Sequence, residues 1–183
     1  MHKLVTFSLA AFCLASATAL AAGGGGSGGG SSSSGGGGSP QDHDCKKGEV
    51  WNKKTKKCMK QQSGVLPDED LYQQGRALAK EGQYDWALEV LALVQNQNDP
   101  RVLNYMGYSN RKAGRLEVGI SYYRKALAIN PNFVLAREYL GEGYVAAGRN
   151  DLAKAELAEI AQRCGVTCEE YRDLSLAIAG KAE

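Results

Sequence analysis

Residues 100–131 read PRVLNYMGYSNRKAGRLEVGISYYRKALAINP, and their pattern decides the fold. Asp99-Pro100 is a helix-start signal, because proline suits the first helical turn, where an N–H has no partner anyway. Gly114 interrupts the helical pattern, and apolar residues then resume at helical spacing with Leu116, Tyr123 and Leu127. The stretch therefore reads as helix, short turn, helix. The same punctuation recurs on both sides of this stretch. Gly75, Gly107 and Gly141 form one series and Gly82, Gly114 and Gly148 another, each at intervals of 32 and 34 residues. Pro67, Pro100 and Pro131 recur about every thirty residues, and Asn130-Pro131 and Asn150 read as further helix starts. Such recurrence is the mark of stacked helical pairs, none of which buries its apolar face alone. Small residues at Gly75, Gly107, Gly141, Ala87, Gly119 and Ala153 should let paired helices approach closely. Tyr84, Leu88, Leu91, Leu140, Tyr144, Leu152 and Leu157 should help fill the seams.

A family resemblance rests on these residues. Gly82-Gln83-Tyr84-Asp85-Trp86-Ala87 has the form Gly-x-Tyr-x-x-Ala. Leu103, Met106-Gly107, Gly114, Leu116, Tyr123-Arg124-Lys125-Ala126-Leu127 and Asn130-Pro131 follow in order, and Leu140-Gly141, Tyr144, Gly148 and Ala153 repeat the set. Over about 68–165 the chain resembles the tetratricopeptide-repeat family, in three repeats. It departs from the pattern in a first repeat two residues short, in Gly119 for the usual Ala, and in Arg137 at a usually apolar place. The resemblance implies an all-α, TPR-like helical-hairpin solenoid whose first helices line a concave, partner-binding face. It places Tyr72 and Arg76 there from the first repeat, with Glu69, Gln73 and Lys80 beside them. The second repeat adds Asn104, Tyr105, Tyr108 and Arg111, with Arg101 and Lys112, and the third adds Glu138, Tyr139 and Glu142, with Leu135. Tyr72, Tyr105, Tyr108 and Tyr139 would form an aromatic ladder, and charge would run from Arg76 and Arg111 toward Glu138 and Glu142. Tyrosine and arginine commonly anchor interfaces. The plainer alternative is that some of these tyrosines fill seams and the charges are a solvated face. Repeats of this family that hold the acidic tails of cytosolic chaperones do so with a basic clamp. The matching places here are Tyr72, Arg76, Tyr105, Leu135 and Tyr139, of which only Arg76 is basic, so that function is excluded.

The stack needs a cap at its end, and one is readable. Thr167-Cys168-Glu169-Glu170 has the capping-box form, with Thr167 at the cap and Glu170 reaching back. A final helix of roughly Cys168 to Ala179 should follow, with Tyr171, Leu174 and Ile178 inward and Glu169, Arg172 and Asp173 outward. Gly165 should stop the helix before it.

The chain begins with Met1-His2-Lys3 and an apolar run from Leu4 to Ala22 that ends in Ala19-Leu20-Ala21. This fits a signal peptide over 1–21, with an uncleaved membrane anchor as the alternative. Phe12 before Cys13 excludes a lipoprotein box. Residues 22–39 are a Gly/Ser-rich linker that cannot bury apolar surface. Residues 40–62 carry seven Lys against Asp42, Asp44 and Glu49. Val50 and Trp51 suit a strand and Asn52 starts a polar turn, so this segment reads as a small β-hairpin ahead of the repeats, which occupy 68–183 with the capping helix.

Beyond the leader the cysteines are Cys45, Cys58, Cys164 and Cys168, an even number suited to disulfides in an exported chain. Three pairings are possible, and proximity favours Cys45–Cys58 and Cys164–Cys168. A zinc site lacks paired Cys-x-x-Cys spacing. A thiol–disulfide enzyme is weakened by the three residues inside Cys164-Gly-Val-Thr-Cys168 and by the lack of a βαβ pattern around them. The net charge of +2 and two His, His2 and His43, leave little for nucleic-acid binding or histidine chemistry. No catalytic constellation or cofactor motif is present, so the chain is not expected to be an enzyme. The expected function is an exported, periplasmic protein-binding adaptor whose partner is a protein or peptide of the cell envelope. The alternative is an envelope-attachment module, with Lys46, Lys47, Lys53, Lys54, Lys56, Lys57 and Lys60 binding peptidoglycan, polysaccharide or anionic lipid.

Overall fold

In a computed structural model of the chain, the described residues are 45–62, 64 and 66–180. The expected signal peptide and linker, residues 1–39, lie outside them, as does His43. Two strands, β1 (Glu49–Asn52) and β2 (Lys57–Lys60), precede seven helices: α1 (Asp68–Lys80), α2 (Tyr84–Leu91), α3 (Pro100–Lys112), α4 (Leu116–Ile129), α5 (Val134–Ala146), α6 (Asn150–Cys164) and α7 (Glu169–Ile178). Among the described residues no helix is long and apolar enough to cross a membrane. The expected all-α solenoid of three helical hairpins, with a terminal helix and a leading disulfide hairpin, is what forms.

Each hairpin of helices turns at a glycine, and in the first two a second glycine lets the paired helices approach. Gly82, Gly114 and Gly148 sit at φ +82°, +83° and +70° in the turns, a backbone region that side chains resist. The earlier series works by proximity instead. A Cβ on Gly75 would lie 2.6 Å from Leu91 of α2, and one on Gly107 would lie 2.6 Å from Tyr123 of α4. Gly141 departs from the expected helix-to-partner role, because its nearest neighbours all belong to Leu174 of α7. The third repeat therefore uses its glycine to seat the cap. Tyr123, Ile120, Leu91 and Leu174 are fully buried along these seams.

Ion pairs bind successive repeats. Arg115, just after Gly114, donates to Asp85 of the preceding repeat at 2.9 Å, and Arg149, just after Gly148, donates to Glu117 at 2.7 Å. Arg137 takes the place of an apolar residue by pairing with Glu156 at 2.8 Å and donating to the Pro131 carbonyl.

Two helix starts differ from expectation. Asp99 caps α3 as the sequence implies, accepting from the Arg101 N–H at 2.8 Å. Asn130-Pro131 does not start α5; Asn130 accepts from the Asn132 N–H in a side-chain turn, and the helix begins at Val134. The expected capping box of α7 also fails. Its cap is Cys168, one residue later than Thr167, and no side-chain cap hydrogen bond forms there. Cys168 is bonded to Cys164 at the end of α6, with a Cα–Cα distance of 6.0 Å, and this bond spans the turn at Gly165.

The Cys45–Cys58 bond closes the β-hairpin, in which Val50 pairs with Met59 and Trp51 with Cys58. The hairpin is not a free module. Val50 is 1% exposed and joins the core formed by Leu66, Leu71 and Leu91. The Trp51 N–H donates to Gln74 Oε1 at 2.7 Å, and the Trp51 carbonyl accepts from Gln74 Nε2 at 3.0 Å. The described residues from Cys45 to Gly180 belong to one compact unit, with β1 covering the start of the stack.

Candidate functional site

The first helix of each repeat, α1, α3 and α5, lies side by side with the next. Their exposed faces meet α7 around an open cleft of about 440 Å³. Its floor is aromatic. Tyr105 and Tyr108 project from α3 and Tyr139 from α5, with ring centroids 6.1 Å apart for Tyr105–Tyr108 and 5.2 Å apart for Tyr108–Tyr139. The ladder continues to Tyr72, whose ring is 6.0 Å from Tyr105, but Tyr72 does not line the cleft. Burial pushes its hydroxyl pKa up to about 12, with the neighbouring Tyr105 adding to the effect.

One wall is basic. Arg76 Nε donates to the Tyr105 hydroxyl at 3.0 Å, and Lys80 Nζ donates to the Tyr139 hydroxyl at 2.8 Å. The Lys80 ammonium also lies 4.9 Å from the centre of the Tyr108 ring, a cation–π distance, and Lys112 lies 5.9 Å from the same ring. The opposite wall is acidic: Glu138 and Glu142 from α5, and Glu169, Glu170 and Asp173 from α7. Glu138 is 5% exposed. Its pKa is raised to about 8, by burial first and then by the charges of Glu142, Asp173 and Glu170, with Lys80 opposing them.

The cleft thus unites nine of the fifteen residues that the sequence places on this face: Arg76, Lys80, Tyr105, Tyr108, Lys112, Leu135, Glu138, Tyr139 and Glu142. Glu69, Tyr72, Gln73, Arg101, Asn104 and Arg111 do not line it. Asn104 is wholly buried in α3, and its amide has no hydrogen-bond partner among the described residues. Arg111 is committed to the interior of the stack, ion-paired with Glu142 and donating to the Tyr123 hydroxyl at 3.2 Å. Asp173, expected to point outward, lines the cleft instead, as do Glu169 and Glu170. Their signal in the sequence was an acidic run on the capping helix, but only the seating of α7 against α5 turns it toward the first helices.

Residues 100–133 match the tetratricopeptide repeat family model. Residues 100–133 are thus a tetratricopeptide repeat, set in a fold that solved tetratricopeptide-repeat structures share. Solved structures of the same fold include MamA, 22% identical over 62% of this chain and 68% of that one, with a TM-score of 0.54. The first tetratricopeptide domain of Spaghetti (RPAP3), bound to the HSP90 peptide SRMEEVD, is 19% identical over 64% and 97% of the two chains, with a TM-score of 0.54. PcrH, in complex with the chaperone binding region of PopB, is 18% identical over 66% and 99%, with a TM-score of 0.53. No curated protein sequence matches the chain. The matched repeat is formed by α3 and α4, and a helical hairpin flanks it on each side.

Proposed function

We propose that this protein is an exported adaptor that holds a peptide segment of an envelope protein in the cleft along α1, α3 and α5. The observation that carries the reading is the tyrosine floor of Tyr105, Tyr108 and Tyr139 between two walls of opposite charge. Aromatic rings supply contact area at low entropic cost, and the charged walls set orientation. RPAP3 and PcrH, which share the fold, are both bound to peptide segments of other proteins. The acidic wall argues against a strongly acidic peptide as the occupant here. As a scaffold the protein needs no cofactor and performs no reaction. Export is supported by the apolar run Leu4 to Ala22 and by the two cystines, a bond type that persists in oxidising compartments.

Site-specific photocrosslinking in an envelope fraction tests the reading. A benzophenone side chain at Lys112, on the rim of the cleft, should capture a protein partner, and Tyr108→Ala should abolish that capture in folded protein. Capture only from a probe at Lys54 would instead favour attachment through the hairpin. One observation keeps that second reading in play: Lys46, Lys54, Lys56, Lys57 and Lys60 carry no ion pair among the described residues, whereas Lys47 and Lys53 pair with Glu89 and Asp70.

A further inference from the structure

The tyrosine floor does not account for Glu138. Its side chain lines the cleft, yet it is 5% exposed and has neither a hydrogen bond nor an ion pair to any described residue. Lys80, the cation that acts on it, is already used by the Tyr139 hydroxyl and the Tyr108 ring. The other charges facing Glu138 are mostly repulsive: Glu142 on its own helix, and Glu170 and Asp173 on α7. A buried carboxyl with no partner destabilises a fold unless something arrives to pair with it. Two properties narrow that partner to an elongated cation. Among the described residues, no three cleft carboxylates bring oxygen atoms within 4.8 Å of one another, as one metal ion would require. The rings of Tyr108 and Tyr139 lie beside the carboxyls, and a guanidinium or alkylammonium is suited to lie across such faces.

We propose that Glu138 is the buried counter-ion for a basic side chain, arginine or lysine, of the peptide that occupies the cleft, with Glu142, Glu170 and Asp173 flanking it. This rests on the peptide-binding reading above and specifies the chemistry of its ligand. At neutral pH Glu138 holds its proton. An arriving cation favours the ionised carboxyl, so binding releases that proton, and affinity rises with pH until Glu138 is ionised without help.

The test is a selection of displayed random decapeptides on the full chain at pH 8.5, followed by fluorescence anisotropy with the recovered peptides. They should share an Arg or Lys, and norleucine in its place should weaken binding about tenfold or more. Glu138→Gln should weaken binding to a similar degree and add little to the norleucine change. With wild-type protein the affinity should fall on the order of tenfold between pH 8.5 and pH 6.5, and with Glu138→Gln it should not. Glu138→Gln should fold at least as well as wild type, as circular dichroism would confirm, so its loss of binding would not reflect unfolding. Peptides that lack a basic residue, or that bind Glu138→Gln equally well, overturn the counter-ion while sensitivity to Tyr108→Ala keeps the peptide cleft. Failure to recover any Tyr108-dependent peptide overturns both. Self-association of the chain that Glu138→Gln abolishes would assign the acidic wall to the Lys-rich hairpin of a second copy, and would overturn the partner peptide.

Discussion

The Lys80 ammonium of α1 donates to the Tyr139 hydroxyl of α5 at 2.8 Å, joining residues 59 positions apart in sequence. The bond bridges the first and third repeats, and the ammonium also contacts the Tyr108 ring of the second. A single side chain thus ties together the first helices of all three repeats. It helps to hold the tyrosine floor in register.

Lys80→Met should loosen that tie while keeping the aliphatic stem. Lys80 is partly exposed, so the loss of stability should be about 1 kcal/mol, below the usual range for a charged hydrogen bond. Urea denaturation measures it. A larger effect should appear as faster amide exchange in α5, where Tyr139 has lost its donor.

The two glycine series should fail for different reasons. Gly107→Ala forces a methyl against the buried Tyr123 ring and the Gly119 carbonyl, and should cost about 2–3 kcal/mol. Gly114→Ala meets nothing within 4 Å and is strained only by its φ of +83°, so its cost should be about 1–2 kcal/mol. Chemical denaturation of the two variants separates crowding from backbone strain.

Stability should also depend on pH through Glu138. Its pKa rises from the ordinary 4.5 to about 8 on folding, so between these values the folded chain holds a proton that the unfolded chain has released. Stability from this group is therefore greatest at acid pH, declines as pH rises from about 4.5 to 8, and levels off above. Glu138→Gln should flatten that slope and be more stable than wild type at pH 8.5, by about 1–2 kcal/mol. Thermal denaturation over this range shows it, and a parallel slope in both proteins would place the titration elsewhere.

The two cystines should contribute unequally. Removing Cys45–Cys58 by paired Ser substitutions reopens a separation of 13 residues and should cost about 3 kcal/mol, whereas Cys164–Cys168, 4 residues apart, should be worth about 2 kcal/mol. The first loss should also uncover Val50 and the core beneath the hairpin, which near-ultraviolet dichroism of Trp51 would report. Non-reducing peptide mapping that found Cys45 joined to Cys164 would contradict the whole arrangement.

The helical pairs, their turns and their close approaches were legible in the sequence, because each depends on residues within one repeat. Gly114 needs only a positive φ, Gly107 needs only a neighbour on the next helix of its own repeat, and both recur with the period. The candidate face was legible to the same extent, since helical spacing places Tyr105 and Tyr108 on one side of α3. What the spacing left open was which residues the packing would use up. Arg111 had the right position for a ligand, but Glu142 and Tyr123 claim it from a neighbouring repeat and from α4. Thr167 had the right chemistry for a cap, but Cys168, tethered to Cys164, takes the position. The acidic wall exists only because Leu174 seats α7 against Gly141, bringing Glu170 and Asp173 to Glu138 across more than thirty residues of chain. Propensity and period are local properties that a sequence states directly. Which charge is paired, and which is buried without a partner, is set by contacts between distant segments, and those exist only once the chain has packed.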